Sequence, residues 1–353
     1  MNTFVIGYYA LMIGASCLAA YFKKREAFLL IFGLTLASFV IGIVGGEKAL
    51  WTLTVLAGIL ALAAGTSYAF REFLVALLPS EGAKLMRTAP LTASFGMFVV
   101  MSYAIAGIFA PWIAPFSESE VISQSFAPAD ENMLLGADQL GRDMFSRIVY
   151  GARNSVGIAL LATSLAFIMG AFGGLLAATK GGLLDQVLSR SVDVIMSIPS
   201  LIFALLLLSI FGTNMIILIL IIAVIYAPRV YRLTRAVAGD VVVMDYIEAA
   251  RLRGEGMWYL IRKEILPNSK APLIAEFGLE FCFVFLLIAG LSFLGLGIQP
   301  PTADWGSMVR ENATLISYGE TTPLIPAAAI ALLTVAINFV VDWMLYRSSG
   351  LKE

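Results

Sequence analysis

The chain has 353 residues, enough on length alone for two or three soluble domains. Its composition excludes them: 60% of residues are hydrophobic, only 13% are charged, the net charge is −1, and the mean hydropathy is +0.90. Soluble domains carry roughly 25% charged residues, and half that share cannot clothe a water-soluble globule. So much apolar surface also excludes disorder, and the near-neutral balance provides no basic field for nucleic acid. There is no histidine, and the two cysteines, Cys17 and Cys282, sit in apolar runs as small buried hydrophobes. Zinc and haem sites and His-based triads are thereby excluded. What remains is an all-α polytopic membrane protein, because the apolar runs suit helices of about 20 residues rather than barrel strands.

In chain order, nine spans are expected, at 3–21, 27–46, 49–70, 89–110, 155–178, 192–211, 213–227, 273–297 and 322–346. The first lacks the basic leader region of a signal peptide and is followed by Lys23-Lys24-Arg25. The first three spans (1–71) carry little polar content and no motif, and 72–88 reads as a linker. Placing the N-terminus outside puts 18 of the 23 Lys and Arg residues on the inside and five outside. The positive-inside rule therefore favours N-out, C-in.

Two extramembrane segments stand out, 111–154 outside and 229–272 inside. In the inner one, Asp245 and Glu248 resemble a capping box, and these acids suit a helix start. Arg251 and Arg253 suit its end, and Gly254 is placed to leave it in a left-handed conformation. A second short helix is expected at about 256–265, with Pro267 as its stop. Ala249 and Ala250 form a flat face that another protein can approach. By physics alone, an amphipathic helix lying on the lipid surface fits equally well.

The spacing Glu248-Ala249-Ala250, then Gly254, then Ile265-Leu266-Pro267-Asn268 and Pro272 resembles the EAA loop of ATP-binding-cassette (ABC) importer permeases. Four further stretches resemble the peptide/nickel, C-subunit branch of that family. They are Leu135-Gly136-Ala137-Asp138 through Arg153, Asp193 through Ser200, Ala289 through Gly297, and Gln299-Pro300-Pro301 with Trp305-Gly306. The resemblance runs from about Ala89 to Asp342. It implies a type I ABC importer permease core of six helices at 89–353, with a periplasmic segment 111–154 and a cytoplasmic coupling loop 241–272. Three extra transmembrane helices precede that core here.

The resemblance further implies that Asp245, Glu248, Ala249, Ala250, Gly254, Ile265, Leu266 and Pro267 contact a cytoplasmic ATPase. Its expected partners are two ABC ATPase subunits, a second homologous permease and an extracytoplasmic solute-binding protein, in a bacterial inner membrane. No Gly-x-x-x-x-Gly-Lys-Ser/Thr loop occurs, so this chain is expected to hold no cofactor, ATP and Mg being bound by the partner subunits. Glu276, Glu280, Asn214 and Asp342 are candidates for a translocation path or gate, or else paired and interfacial groups at span ends. Asp138, Arg142, Asp143 and Arg147 are candidates for a binding-protein platform, or for a salt-bridged cap on the fifth span. The competing class is an ion-coupled secondary transporter or channel acting alone, which calls for inverted repeats and intramembrane charge pairs. A membrane enzyme lacks any catalytic constellation. The branch accommodates peptides, nickel complexes, glycosides or opines as solute.

Overall fold

The computed structural model describes residues 58–318 and 322–348, together with Met12 and Gly14 taken singly. Apart from those two helical residues, the spans expected at 3–21 and 27–46 lie outside the described residues. The chain divides into two compact units, Met1–Arg87 and Thr88–Glu353.

In the first unit, α1 (Gly58–Leu77) is long and apolar enough to cross a membrane, and the short α2 (Ser80–Arg87) follows. The third span was expected to stop at 70, with a linker after it. Instead α1 runs on through Arg71 and Glu72, which pair side by side at 3.4 Å. Both are good helix formers, so one charged pair does not end a helix whose apolar run continues through Phe73 to Leu77. Pro79 marks the break, because the residue before a proline is pushed out of the helical region.

The second unit holds α3 (Leu91–Ile108), the single turn α4 (Ala110–Ile113), α5 (Met144–Lys180), α6 (Gly182–Met196), α7 (Ser200–Phe211) and α8 (Met215–Val242). After these come α9 (Asp245–Leu252), α10 (Met257–Phe293), α11 (Trp305–Asn312) and α12 (Leu324–Ser348). Among the described residues the only β pairing is two isolated bridges, Val121 to Arg142 and Ala137 to Asp143. Five of these helices, α3, α5, α8, α10 and α12, meet the length and apolarity of a span. The sixth position belongs to α6 and α7 together, bent by 88° at the break before Pro199. Within the span expected at 192–211, Pro199 is a residue that bends or ends a helix, and it does so: it stands at the N-cap of α7, where the chain turns.

Several helices outrun their expected ends. At 37 residues α5 is about 55 Å long, well beyond a hydrocarbon core of about 30 Å. It starts inside the 111–154 segment and ends beside the 245–265 region, linking the two ends of the unit. The seventh span, expected to be short, is the 28-residue α8. It passes Pro228 without ending, so Arg229, Arg232 and Arg235 ride on a helix rather than in a loop. Neighbouring helices in a membrane bundle compensate a proline's missing N–H.

Small residues let α5 and α8 meet closely. Ala159, Ala162, Ala166, Gly170, Gly174 and Ala177 recur at three- and four-residue spacing, and all are buried. A Cβ on Gly170 would stand 2.7 Å from the Val230 Cβ, and one on Gly174 2.8 Å from the Thr234 Cβ. Backbone contact of this kind drives helix association where lipid removes the hydrophobic incentive. On this seam rests a core shared with α10, α11 and α12, including Ile222, Phe285, Ile288, Leu291, Trp305, Met308 and Leu333.

Pro267 does not stop a short helix. The segment Met257–Phe293 is one long helix with a π turn at Leu260–Ile265, and Pro267 falls in the first turn of the α-helical part that follows. A π turn shifts the hydrogen-bond register, so the proline stands where an N–H partner is already lost. The Asn268 side chain donates to the Glu264 carbonyl at 2.7 Å beside this junction.

Candidate functional site

At the 245–265 end, α9 is a free-standing two-turn helix held by one face. Ile247 and Ala250 are buried with Leu175 of α5, Ala238 of α8, and Leu260, Ile261 and Ile265 of the π turn. The other face is bare. Val243, Met244, Tyr246 and Leu252 are exposed, Leu252 at 83%, and Trp258, Tyr259 and Leu266 extend the apolar surface. Asp245, Glu248, Ala249, Gly254 and Pro267 are exposed among them. The two alanines therefore do not share an outward face: Ala249 points out, whereas Ala250 and Ile265 build the support beneath.

The expected capping box is absent. Met244 is the N-cap and makes no side-chain cap bond, so Asp245 is already helical. Asp245 and Glu248 still place charge in the first turn, where the helix dipole favours it. Gly254 has φ of +83°, the left-handed exit expected of it, and open space surrounds the position its Cβ would take.

At the opposite end, Asp138, Arg142, Asp143 and Arg147 are all buried. The Arg142 Nε donates to Asp138 Oδ2 at 2.7 Å, and Arg147 donates to the same oxygen. Both arginines also donate to Glu311 on α11, at 2.9 and 2.8 Å. Asp143 caps α5, accepting from the backbone N–H and the hydroxyl of Ser146. Burial alone would raise the Asp138 carboxyl. The Arg142 and Leu140 backbone N–H groups and the two guanidinium charges outweigh it and hold the pKa below the usual carboxylate range. This is the geometry of an internal cap; what faces outward around it is Val121, Leu134 and Leu140.

A second buried knot joins α5 to α11. Asp304 caps α11 by accepting from the Ser307 N–H, and accepts the Ser155 hydroxyl at 2.8 Å. Burial lifts its carboxyl above the usual range against the hydrogen bonds of Ser307, Ser155 and Ser292. Trp305, fully buried, donates its indole N–H to the Ile148 carbonyl at 3.0 Å. Sequence reading singled out neither Asp304 nor Glu311. The Trp305-Gly306 stretch was the only signal nearby.

At membrane depth the four path candidates separate. Asn214 caps α8, accepting from the Ile216 N–H at 2.9 Å, at the end remote from the 245–265 region. Asp342 is exposed on α12. Only Glu276 and Glu280 stand together, one turn apart on α10, Glu280 being 97% buried by contrast with the half-buried Glu276. Arg229 of α8 lies within electrostatic range of both. A cavity of about 380 Å³ opens between α6 and α8, lined by Ser189, Asp193, Tyr231, Arg232 and Arg235 among others. Beside it, Arg235 pairs with Asp185, and Ser189 bonds the Tyr231 hydroxyl at 3.0 Å, so α6 is clasped to α8.

With this geometry in place, comparison with known proteins is direct. Residues 166–349, just over half of the chain, match the model of the family described as binding-protein-dependent transport system inner membrane component. The chain is similar to the di/tripeptide transport system permease protein DppC of Pseudomonas aeruginosa, 35% identical over 70% of this chain and 84% of that one. It is 33% identical to the probable D,D-dipeptide transport system permease protein DdpC of Escherichia coli, over 74% of this chain and 89% of that one. Among solved structures, the MetNI methionine ABC transporter in inward-facing form aligns with 59% of this chain and 98% of that one, with a TM-score of 0.49 and 19% identity.

Proposed function

The chain belongs to the family of binding-protein-dependent transport system inner membrane components, and from that premise we propose that it is the permease subunit of an ATP-driven importer for peptides or a related small solute. The relatives named for di/tripeptides and D,D-dipeptides support that solute class. The observation that carries the reading is α9: a short helix anchored by Ile247 and Ala250, with an apolar outer face left bare. An exposed apolar patch rimmed by charge marks a protein contact. Here the occupant is a cytoplasmic ABC ATPase, which would bind the ATP and Mg that this chain has no loop to hold. Movement of α9 passes to α5, α8 and α10 through the cluster that grips it.

In this reading the N-terminus is outside and the C-terminus cytoplasmic, as the distribution of Lys and Arg supports. A second homologous permease completes the pore, and two ATPases sit below. A solute-binding protein docks on the outer segment through exposed residues such as Leu134 and Leu140, with the ion cluster as rigid backing. The test is purification in mild detergent from native membranes. A second permease and ATPases should co-purify at stoichiometric levels, and uptake should require ATP. Transport by this chain alone in liposomes without nucleotide would overturn the reading.

A further inference from the structure

Glu280 is a buried carboxylate with an unanswered oxygen. The residue is 3% exposed, and among the described residues its Oε2 has no hydrogen-bond donor. Tyr226 lies within its electrostatic range, but the Tyr226 hydroxyl donates to the Phe283 carbonyl at 3.2 Å. Arg229 does not bond it either. Its guanidinium is propped over the rings of Tyr226 and Phe283, 5.0 and 5.2 Å from their centroids. Glu276 adds a second carboxylate one helical turn away, at the half-buried edge of the same face of α10. An ionisable group at this depth is costly and calls for a function.

We propose that Glu280 and Glu276, with Arg229 across from them on α8, form a station in the translocation path for the ammonium group of the solute. The chemistry required is a donor-rich cation small enough to reach a nearly closed carboxylate. An ammonium supplies three N–H donors and a full positive charge. Two carboxylates alone would trap it, and passage requires a site that is entered readily and left readily. Arg229 is held by aromatic faces, so it offsets part of the negative charge without filling the site. Phe283, whose ring lies against the Arg229 guanidinium, is half exposed on α10.

This inference rests on the chain being a peptide-class permease. The experiment uses the full complex in proteoliposomes with its binding protein, radiolabelled dialanine as probe, and dialanine taken up per ATP hydrolysed as readout. Losing a hydrogen bond between charged groups amounts to about tenfold in an equilibrium, so Glu280→Gln should lower that ratio about tenfold and Glu276→Gln less. Glu280→Asp, which keeps the charge, should recover most of it. An unchanged ratio in both glutamine variants would overturn the station. So would loss of the second permease from the purified complex of both variants, which would make the glutamates a subunit contact. Wild-type complex that does not carry dialanine at all would instead remove the peptide reading beneath it, and the station with it.

Discussion

Arg147, fully buried, donates to Glu311 across 164 residues of sequence at 2.8 Å. The bond fixes α11 against the start of α5, and Arg142 and Asp138 close the cluster around it. Removing one member of such a buried set strands the others and costs about 3–5 kcal/mol. Arg147→Met should therefore lower the thermal midpoint of the detergent-purified complex sharply. The pair Arg147→Met with Glu311→Leu leaves Arg142 and Asp138 matched and should recover part of the loss.

The two buried aspartates respond to pH in opposite senses. The folded-state pKa of Asp138 is depressed, so its contribution is complete above the ordinary carboxylate value and is lost as pH falls through the depressed one. That of Asp304 is raised, so its contribution weakens as pH climbs from the ordinary value through the raised one. Thermal midpoints measured across the acid range should show this weakening vanish in Asp304→Asn. Asparagine also caps helices well, so that variant should lose less stability than Asp304→Ala, for which about 1 kcal/mol of capping is at stake.

Leu252 and Ile247 lie on opposite faces of α9, and their substitutions should fail differently. Leu252→Asp alters a surface position, where stability changes stay within about 0.5 kcal/mol, yet ATPase subunits should no longer co-purify. Ile247→Ala opens a cavity beneath the helix at about 2–5 kcal/mol and should lower the thermal midpoint as well. Co-purification assays set beside unfolding curves distinguish the two.

Gly170 and Gly174 allow no side chain against α8. Gly170→Leu or Gly174→Leu should force the helices apart and destabilise the protein by about 3 kcal/mol or more. Gly157→Ala on the same helix, with open space around its new methyl, should be neutral or slightly stabilising. Thermal unfolding in one detergent provides the comparison.

A truncation should be cut at the boundary between Arg87 and Thr88 rather than after 70, since a cut at 70 bisects α1. A chain starting at Thr88 behind a new Met should insert and retain measurable ATPase stimulation. Loss of stimulation despite normal assembly would give the first 87 residues a direct part in coupling.

Much of this molecule could be read from residue order. Apolar run length located the spans α3, α5, α8, α10 and α12, though not all of their ends, and Gly254 announced its left-handed turn. What escaped the reading was set by packing. The small-residue stripe from Ala159 to Ala177 has no hydropathy contrast, so nothing in it signals which helix it meets. Arg229 fell at the start of the inner segment because the apolar run stops at Ala227, and only the helix that continues through Pro228 shows otherwise. The outer charges allowed two readings until Glu311, far along the chain, closed the cluster. The capping box failed because Asp245 lies one position too far into the helix, a displacement finer than pattern reading resolves.

The wide turn at Leu260–Ile265 has a geometric consequence for the rod that contains it. One surplus residue in a helix rotates everything beyond it by about 100° relative to an uninterrupted run. The side chains gripping α9 and the glutamates further up the same rod are thereby set out of phase by more than a quarter turn. Each group meets its own neighbours because of that offset: forcing Leu260–Ile265 into plain α-helix at unchanged length would swing Glu280 away from Arg229, whereas excising one residue there would close the wide turn and leave Glu280 nearly in place.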